Sequence, residues 1–272
     1  MIIAEIGSVH EGSFGNAKKM IEVAKNCGAD FVKFQMHIAD YESSEYEEFR
    51  INFSYKDKKR RDYWKRTEFE LSEWGKLIEH AKSKNVNFLV SAFSARAISD
   101  LKKLGLKRIK LGSAESIDPI MRGQAVNQGF EIILSNGLDK KSLLEVGQEM
   151  AKKGNKVSLL ECTSAYPSNL KQFNRKSFQR ILDSQHLIGT GISDHSGETL
   201  MAKYGIVKGC DIIEAHIAFN KKMFGPDSIA SLTPTQWAEV VEFKKGINII
   251  NDNNQEQAPC THISKTFSRS IL

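Results

Sequence analysis

NFLVSAFSARAISDLKKLGLKRIKLGS, residues 87–113, carries the pattern from which the fold is read. Its ends, NFLVSAF (87–93) and RIKLGS (108–113), are short apolar runs of strand character, and the segment between them has helical period and stops at Gly105. Strand, helix and strand in that order make one repeat of a parallel sheet. Moving outward, the same alternation continues in both directions. Upstream lie IIAEIG (2–7) and FVKFQ (31–35); downstream lie EIILSNG (131–137), KVSLLECTS (156–164), LIGTGIS (187–193) and DIIEAHIAF (211–219). Amphipathic stretches at 17–27, 72–84, 141–153 and 235–247 fall between strands. Gly28, Gly129, Gly154 and Gly209 stand where helices should stop, and Thr233 before Pro234 reads as a cap and first turn. Eight strand candidates close a barrel, so the expectation is an α/β fold, a parallel eight-stranded (β/α)₈ TIM barrel.

The length of 272 residues suits one such barrel, which commonly takes about 250. A doubly wound open sheet is the alternative, but GSVHEGSFG (7–15) after the first strand does not match GxGxxG. Two stretches break the rhythm. Residues 38–71 form a polar insertion after the second strand, on the face where barrels carry their sites, and read as a lid. From Asn251 the chain loses apolar periodicity, so residues 1–250 are assigned to the barrel and 251–272 to a linker or tail.

No run approaches the roughly 18 apolar residues of a membrane span, and MIIAEIGSVHEG has no basic start followed by a cleavable apolar segment. A cytoplasmic protein with no membrane partner is expected. Four cysteines are scattered singly, which excludes zinc-finger spacing and reads as reduced thiols. The formal charge of +6 is spread over many helices, which argues against nucleic acid as a partner. The densest basic run, KDKKRRDYWKR (56–66), reads as a solvated surface with Tyr63 and Trp64 tucked inward.

Polar residues at strand ends carry the functional signal, because a charge inside a barrel costs desolvation free energy unless it binds something. Glu5 ends the first strand; Lys33 and Gln35, two apart on one face, end the second; Ser91 ends the third. Lys110, Ser113 and Glu115 end the fourth, then follow Ser135 with Asn136, and Thr163, Ser164 and Tyr166. Ser193, Asp194 and His195 end the seventh; Glu214 and His216 end the eighth. Singly, a barrel lysine pairs with an acid such as Glu5, and a serine caps a helix. As a set, two lysines and several hydroxyls suit a phosphate or carboxylate. His195 and His216 from neighbouring strand ends can share one divalent ion, although either alone suits a satisfied core histidine.

These residues sit in AEIGSVHEG (4–12), GADFVKFQ (28–35), RIKLGSAE (108–115), ILSNG (133–137), ECTSAYP (161–167), SDHSG (193–197), EAHIAF (214–219) and GPDSIASL (225–232). The ordered series resembles the sialic acid synthase family, with its pseudaminic and legionaminic acid synthases. The resemblance implies condensation of phosphoenolpyruvate with an N-acetylmannosamine-type hexosamine to a nine-carbon 3-deoxy-2-keto acid and phosphate. It implies that Lys33, Ser91, Lys110, Ser113, Ser135 and Ser193 hold phosphoenolpyruvate, with Ser164 a further contact. Glu5 is counted with the substrate-binding set. By the same resemblance His195 and His216 hold Mn²⁺ or Mg²⁺, and Gln35, Tyr166, Glu214 and Asp227 contact the sugar. Glu115, beside Lys110 and Ser113, is the candidate to position or deprotonate the water that traps the cationic C2. Lys110, Glu115, His195 and His216 are therefore the catalytic candidates, and a homodimer is expected.

Departures from the family pattern are Val9 for Asn, Ala92 for Pro, Asn136 for Thr and Ala215 for Lys. KTFSRSIL (265–272) resembles only the opening of the family's antifreeze-like domain, so that domain is expected to be absent or cut short. Two rivals stand beside the synthase: a barrel that binds these ligands without turnover, and a related synthase acting on a phosphorylated sugar. The latter would need an anion pocket, to which Arg60, Arg61 or Arg66 could contribute.

Overall fold

A computed structural model describes residues 1–42, 45–49, 53–138 and 142–252. Its eight strands are β1 (Ile2–Gly7), β2 (Phe31–Met36), β3 (Asn87–Ala92), β4 (Arg108–Leu111), β5 (Glu131–Asn136), β6 (Val157–Cys162), β7 (Gly189–Asp194) and β8 (Ile212–His216). Every neighbouring pair is parallel, and β8 returns to β1, closing the barrel in sequence order. Around it run α1 (Phe14–Asn26), α2 (Ala39–Glu42), α3 (Arg60–Thr67), α4 (Leu71–Ser83), α5 (Ala95–Lys103), α6 (Ser113–Ile117), α7 (Pro119–Asn127), α8 (Ser142–Lys152), α9 (Arg175–Leu182), α10 (Thr199–Val207) and α11 (Pro234–Asp252). The expected barrel is therefore the observed one. No helix among the described residues is long and apolar enough to cross a membrane.

Alternation along each strand sorts the side chains into two cores. Outward-facing residues such as Ile6, Phe34, Val90, Leu134 and Ile213 pack with the helices in the main apolar cluster. Inward-facing Ile3, Leu89, Ile133, Leu160 and Ile212 form a separate plug across the barrel interior. One pleat further toward the C-terminal ends, the same faces carry Glu5, Lys33, Ser91, Lys110, Ser135, Ser193 and Glu214, all buried. The site thus rests on an apolar floor that keeps water from reaching it from below.

The structure moves several boundaries; β8, for one, stops at His216, short of the expected 219. β4 stops at Leu111, so Ser113 and Glu115 belong to the short helix α6 and not to the strand. β6 stops at Cys162, leaving Thr163 and Ser164 in the following loop. The tail read from Asn251 begins inside α11, which runs to Asp252; residues 253–272, with KTFSRSIL, lie outside the described residues. The insertion at 38–71 holds α2 and α3, and Tyr63 and Trp64 are buried as expected, with Tyr63 packing edge-on to Phe49 and Phe53.

Candidate active site

Two lysines and two carboxylates from four strands meet at the centre of the polar layer. Lys33 is ion-paired with Glu5, donates to Ser91 Oγ at 2.8 Å and lies 3.7 Å from Glu214 Oε1. Lys110 is ion-paired with the same Glu214 oxygen and donates to Ser193 Oγ at 3.2 Å. Ser193 in turn donates to Glu214 Oε1 at 2.8 Å. Register explains the meeting: Glu5 lies opposite Lys33, Ser91 opposite Lys110 and Ser193 opposite Glu214 in the ladders. Burial, with the positive neighbour Lys110, brings the Lys33 ammonium down to about 7. Burial alone would push the Glu214 carboxyl up, but Lys110 and Lys33 outweigh it and hold the group below its usual range.

Beside this centre, the ends of β4, β5 and β6 form a small polar cradle. Ser164 Oγ donates to Ser113 Oγ at 3.1 Å. Gly137 lies so close that a Cβ there would collide with both hydroxyls, so glycine is required for the approach. The buried Ser135 hydroxyl has no hydrogen-bond partner, and a buried unpaired hydroxyl is costly unless a ligand completes it. Glu115, in the first turn of α6, curls its carboxylate back over Gly112 and near Phe93.

His195 and His216 face each other with ring centroids 5.4 Å apart. His195 Nδ1 meets the Thr163 carbonyl at 3.2 Å, which places the hydrogen there and leaves Nε2 with its lone pair; the Tyr166 hydroxyl sits 2.9 Å from that nitrogen. His216 Nδ1 is buried with no partner, 3.9 Å from Asp227 Oδ2. Burial holds both imidazoles down at about 3, with the cation of Lys33 adding to the effect at His216. Both are neutral at neutral pH. Asp227 Oδ2 also accepts the Ser8 N–H at 3.2 Å, and burial pushes its carboxyl up. Gly7, at φ +53, passes so near that a Cβ would sit 2.7 Å from that oxygen.

A pair of lone-pair-bearing histidines fits a divalent ion, though among the described residues no group of three or more His, Cys, Asp or Glu could hold one. Such an ion would draw its remaining ligands from water and substrate. The structure thus brings Glu5, Lys33, Ser91, Lys110, Ser193 and Glu214 into one centre and sets Tyr166, His195, His216 and Asp227 beside one another, while Asn136 turns to Glu161 and Ser177 on the outer face. It also places residues that strand-end reading overlooked. Gln35 Oε1 is 3.1 Å from His37 Nε2, and Tyr63 donates to Glu11 at 2.7 Å. On the outer face, Glu161 accepts from Asn136 at 3.2 Å and from Ser177 of α9 at 2.7 Å. Arg60 pairs with Glu47, Arg61 with Asp40 and Glu45, and Arg66 with Asp57 and Glu11, so an extra anion pocket would have to break existing pairs.

The NeuB family model matches residues 20–255. The N,N'-diacetyllegionaminic acid synthase of Campylobacter jejuni is 32% identical, over 87% of this chain and 72% of its own length. The chain belongs to the NeuB family. A second N,N'-diacetyllegionaminic acid synthase, from Legionella pneumophila, is 31% identical over 89% of this chain and 70% of its own. Among solved structures, the N-acetylneuraminic acid synthetase of Leptospira borgpetersenii in complex with citrate superposes with a TM-score of 0.80 at 26% identity. That match covers 96% of this chain and 87% of the other. Asn136, a departure from the resemblance, is held on the outer face by Glu161.

Proposed function

We propose that this NeuB protein condenses phosphoenolpyruvate with an N-acetylated hexosamine of the mannosamine type, releasing phosphate and a nine-carbon 3-deoxy-2-keto sugar acid. The observation that carries the reading is the juxtaposition of a two-lysine centre, the hydroxyl cradle of Ser113 and Ser164 with the unpartnered Ser135 hydroxyl, and two neutral histidines. Lys33, Ser91, Lys110 and Ser193 would hold the ligand's carboxylate and the serine cradle its phosphate, by charge-assisted hydrogen bonds.

In the reaction the enol C3 attacks the sugar aldehyde carbon, and the aldehyde oxygen takes up a proton. Water then adds to the cationic C2, and the adduct collapses with loss of phosphate. Mn²⁺ or Mg²⁺ on His195 and His216 would polarise the aldehyde. Glu115 is assigned to orient the water and accept its proton, and Gln35, Tyr166, Glu214 and Asp227 to face the sugar. Glu5 holds Lys33 in place. A cytoplasmic homodimer belongs to the same reading and rests on the family resemblance alone. The test is phosphate release from phosphoenolpyruvate with Mn²⁺ across a panel of mono- and di-N-acetylated hexosamines. Binding of both substrates without phosphate release would replace the synthase with a barrel that only binds.

A further inference from the structure

We propose that His37, held by Glu42, is a positioning residue that fixes the side-chain amide of Gln35 and so decides which end of it meets the acceptor sugar. The proposal rests on reading Gln35 as sugar-facing. His37 lies just past the end of β2, two residues after Gln35, and is only 8% exposed. Its ring is clamped between Trp64 of α3, at 3.6 Å and 9° between planes, and Phe93 after β3, at 4.1 Å and 24°. The clamp allows the imidazole one plane. Within that plane both nitrogens are used.

Nδ1 lies 2.7 Å from Glu42 Oε2, and the other oxygen of Glu42 accepts the Ile38 N–H at 2.6 Å. That backbone bond fixes the carboxylate, which in turn fixes the ring. Nε2 lies 3.1 Å from Gln35 Oε1. An amide oxygen only accepts, so the contact as placed needs its hydrogen on Nε2. The Ser8 hydroxyl reaches the same Gln35 oxygen at 3.5 Å. With its carbonyl engaged twice, Gln35 offers its NH₂ to a ligand, which suits an acceptor oxygen such as a hydroxyl or the carbonyl of an acetamido group. The two ends of a glutamine amide have the same shape, so without His37 nothing sets which one faces the mouth. Gln35 lies opposite Ser91 in the β2–β3 ladder, but among the described residues no hydrogen bond of His37, Glu42 or the Gln35 amide reaches a position expected to hold phosphoenolpyruvate.

The experiment is steady-state kinetics of His37→Phe, which keeps the aromatic stack and removes both ring nitrogens. The acceptor used is the hexosamine of the panel that gives the fastest phosphate release. Losing the set orientation of one hydrogen bond should raise its KM about tenfold. KM for phosphoenolpyruvate should stay within about twofold, because none of the relay's hydrogen bonds goes to its expected ligands. In a Gln35→Ala background, His37→Phe should leave the sugar KM unchanged, since His37 then has nothing to position. Glu42→Gln should shift the sugar KM in the same direction, and it decides the matter in both backgrounds if His37→Phe does not fold. Equal rises in both KM values, a full effect without Gln35, or a folded variant with wild-type sugar KM would each overturn the proposal. No phosphate release by the wild type with any acceptor would overturn the synthase reading itself.

Discussion

Replacing Lys110 by methionine removes a charge and keeps most of the side chain's length, so it separates a ligand-binding lysine from a structural one. In the free protein Lys110 is the nearer of two cations beside Glu214; Lys33 remains 3.7 Å from the same oxygen and Ser193 still donates to it. Breaking a buried pair outright costs roughly 3–5 kcal/mol, and with these partners retained the loss should fall to about 2–3 kcal/mol. For a domain of this size that lowers the melting midpoint by roughly 5–10 °C. The ligand effect adds to this and is selective. A lost charge-assisted contact worth about 2 kcal/mol weakens phosphoenolpyruvate binding about thirtyfold. Sugar binding should fall much less, because Lys110 reaches the sugar only indirectly, through Glu214, which keeps Lys33 and Ser193. Calorimetric titration of each ligand into wild type and Lys110→Met, with thermal unfolding alongside, reads both quantities. Equal losses for the two ligands would refute the assignment and make Lys110 a purely structural partner of Glu214.

His195→Ala and His216→Ala should each abolish Mn²⁺ dependence while the barrel stays folded, because one shared ion explains two facing neutral imidazoles; unchanged Mn²⁺ affinity in both would sink the metal site. Gly137→Ala should weaken phosphoenolpyruvate binding about tenfold, since the new methyl displaces Ser113 and Ser164 together, and wild-type affinity would remove the cradle from the site. Burial holds His10, His195 and His216 down at about 3, so between pH 6.5 and 3 the unfolded chain binds protons that the folded one refuses. Stability should therefore fall with acidification in that window, by up to about 1.4 kcal/mol per pH unit for each histidine. Asp194, which burial pushes up to about 6, opposes the trend by taking its proton early in the folded state. His10→Phe, which can keep the stack on Phe69, should make the slope of unfolding free energy against pH shallower by one histidine's share; parallel slopes would contradict it.

The repeat was legible in the sequence because each strand is an apolar run closed by a turn residue, and the polar inward face at each strand end breaks that run visibly. What periodicity could not show was where a strand gives way without a break. Ser113 and Glu115 looked like strand because RIKLGS reads as one apolar run through Gly112, where the chain in fact enters α6. The relay from Glu42 through His37 to Gln35 was hidden for a different reason. It depends on the chain turning at Ile38 and on rings contributed by Trp64 and Phe93, which no local pattern brings together. Glu161 defeats the pattern altogether: it sits on the outward face of β6, where an apolar residue is expected, and Ser177 of α9 accounts for it only once the helix is placed.

Charge balance connects the two halves of the site. In the free barrel Lys33 and Lys110 face Glu5 and Glu214, two formal charges of each sign, so the centre is neutral before any ligand enters. An ammonium carries three hydrogens. Lys110 spends one on Glu214 and one on Ser193, leaving a third for an anion without breaking either contact. The arriving anion also favours the charged form of Lys33, which burial, with the positive neighbour Lys110, had brought down to about 7, so the ligand restores the cation that binds it. The ligand's remaining negative charge finds no compensation in the imidazoles, because both are neutral. A divalent ion on His195 and His216 would supply it at the edge of the same pocket. Anion and ion would then each raise the other's affinity by the same factor, as linkage requires, because either one alone would leave the neutral site with an uncompensated charge.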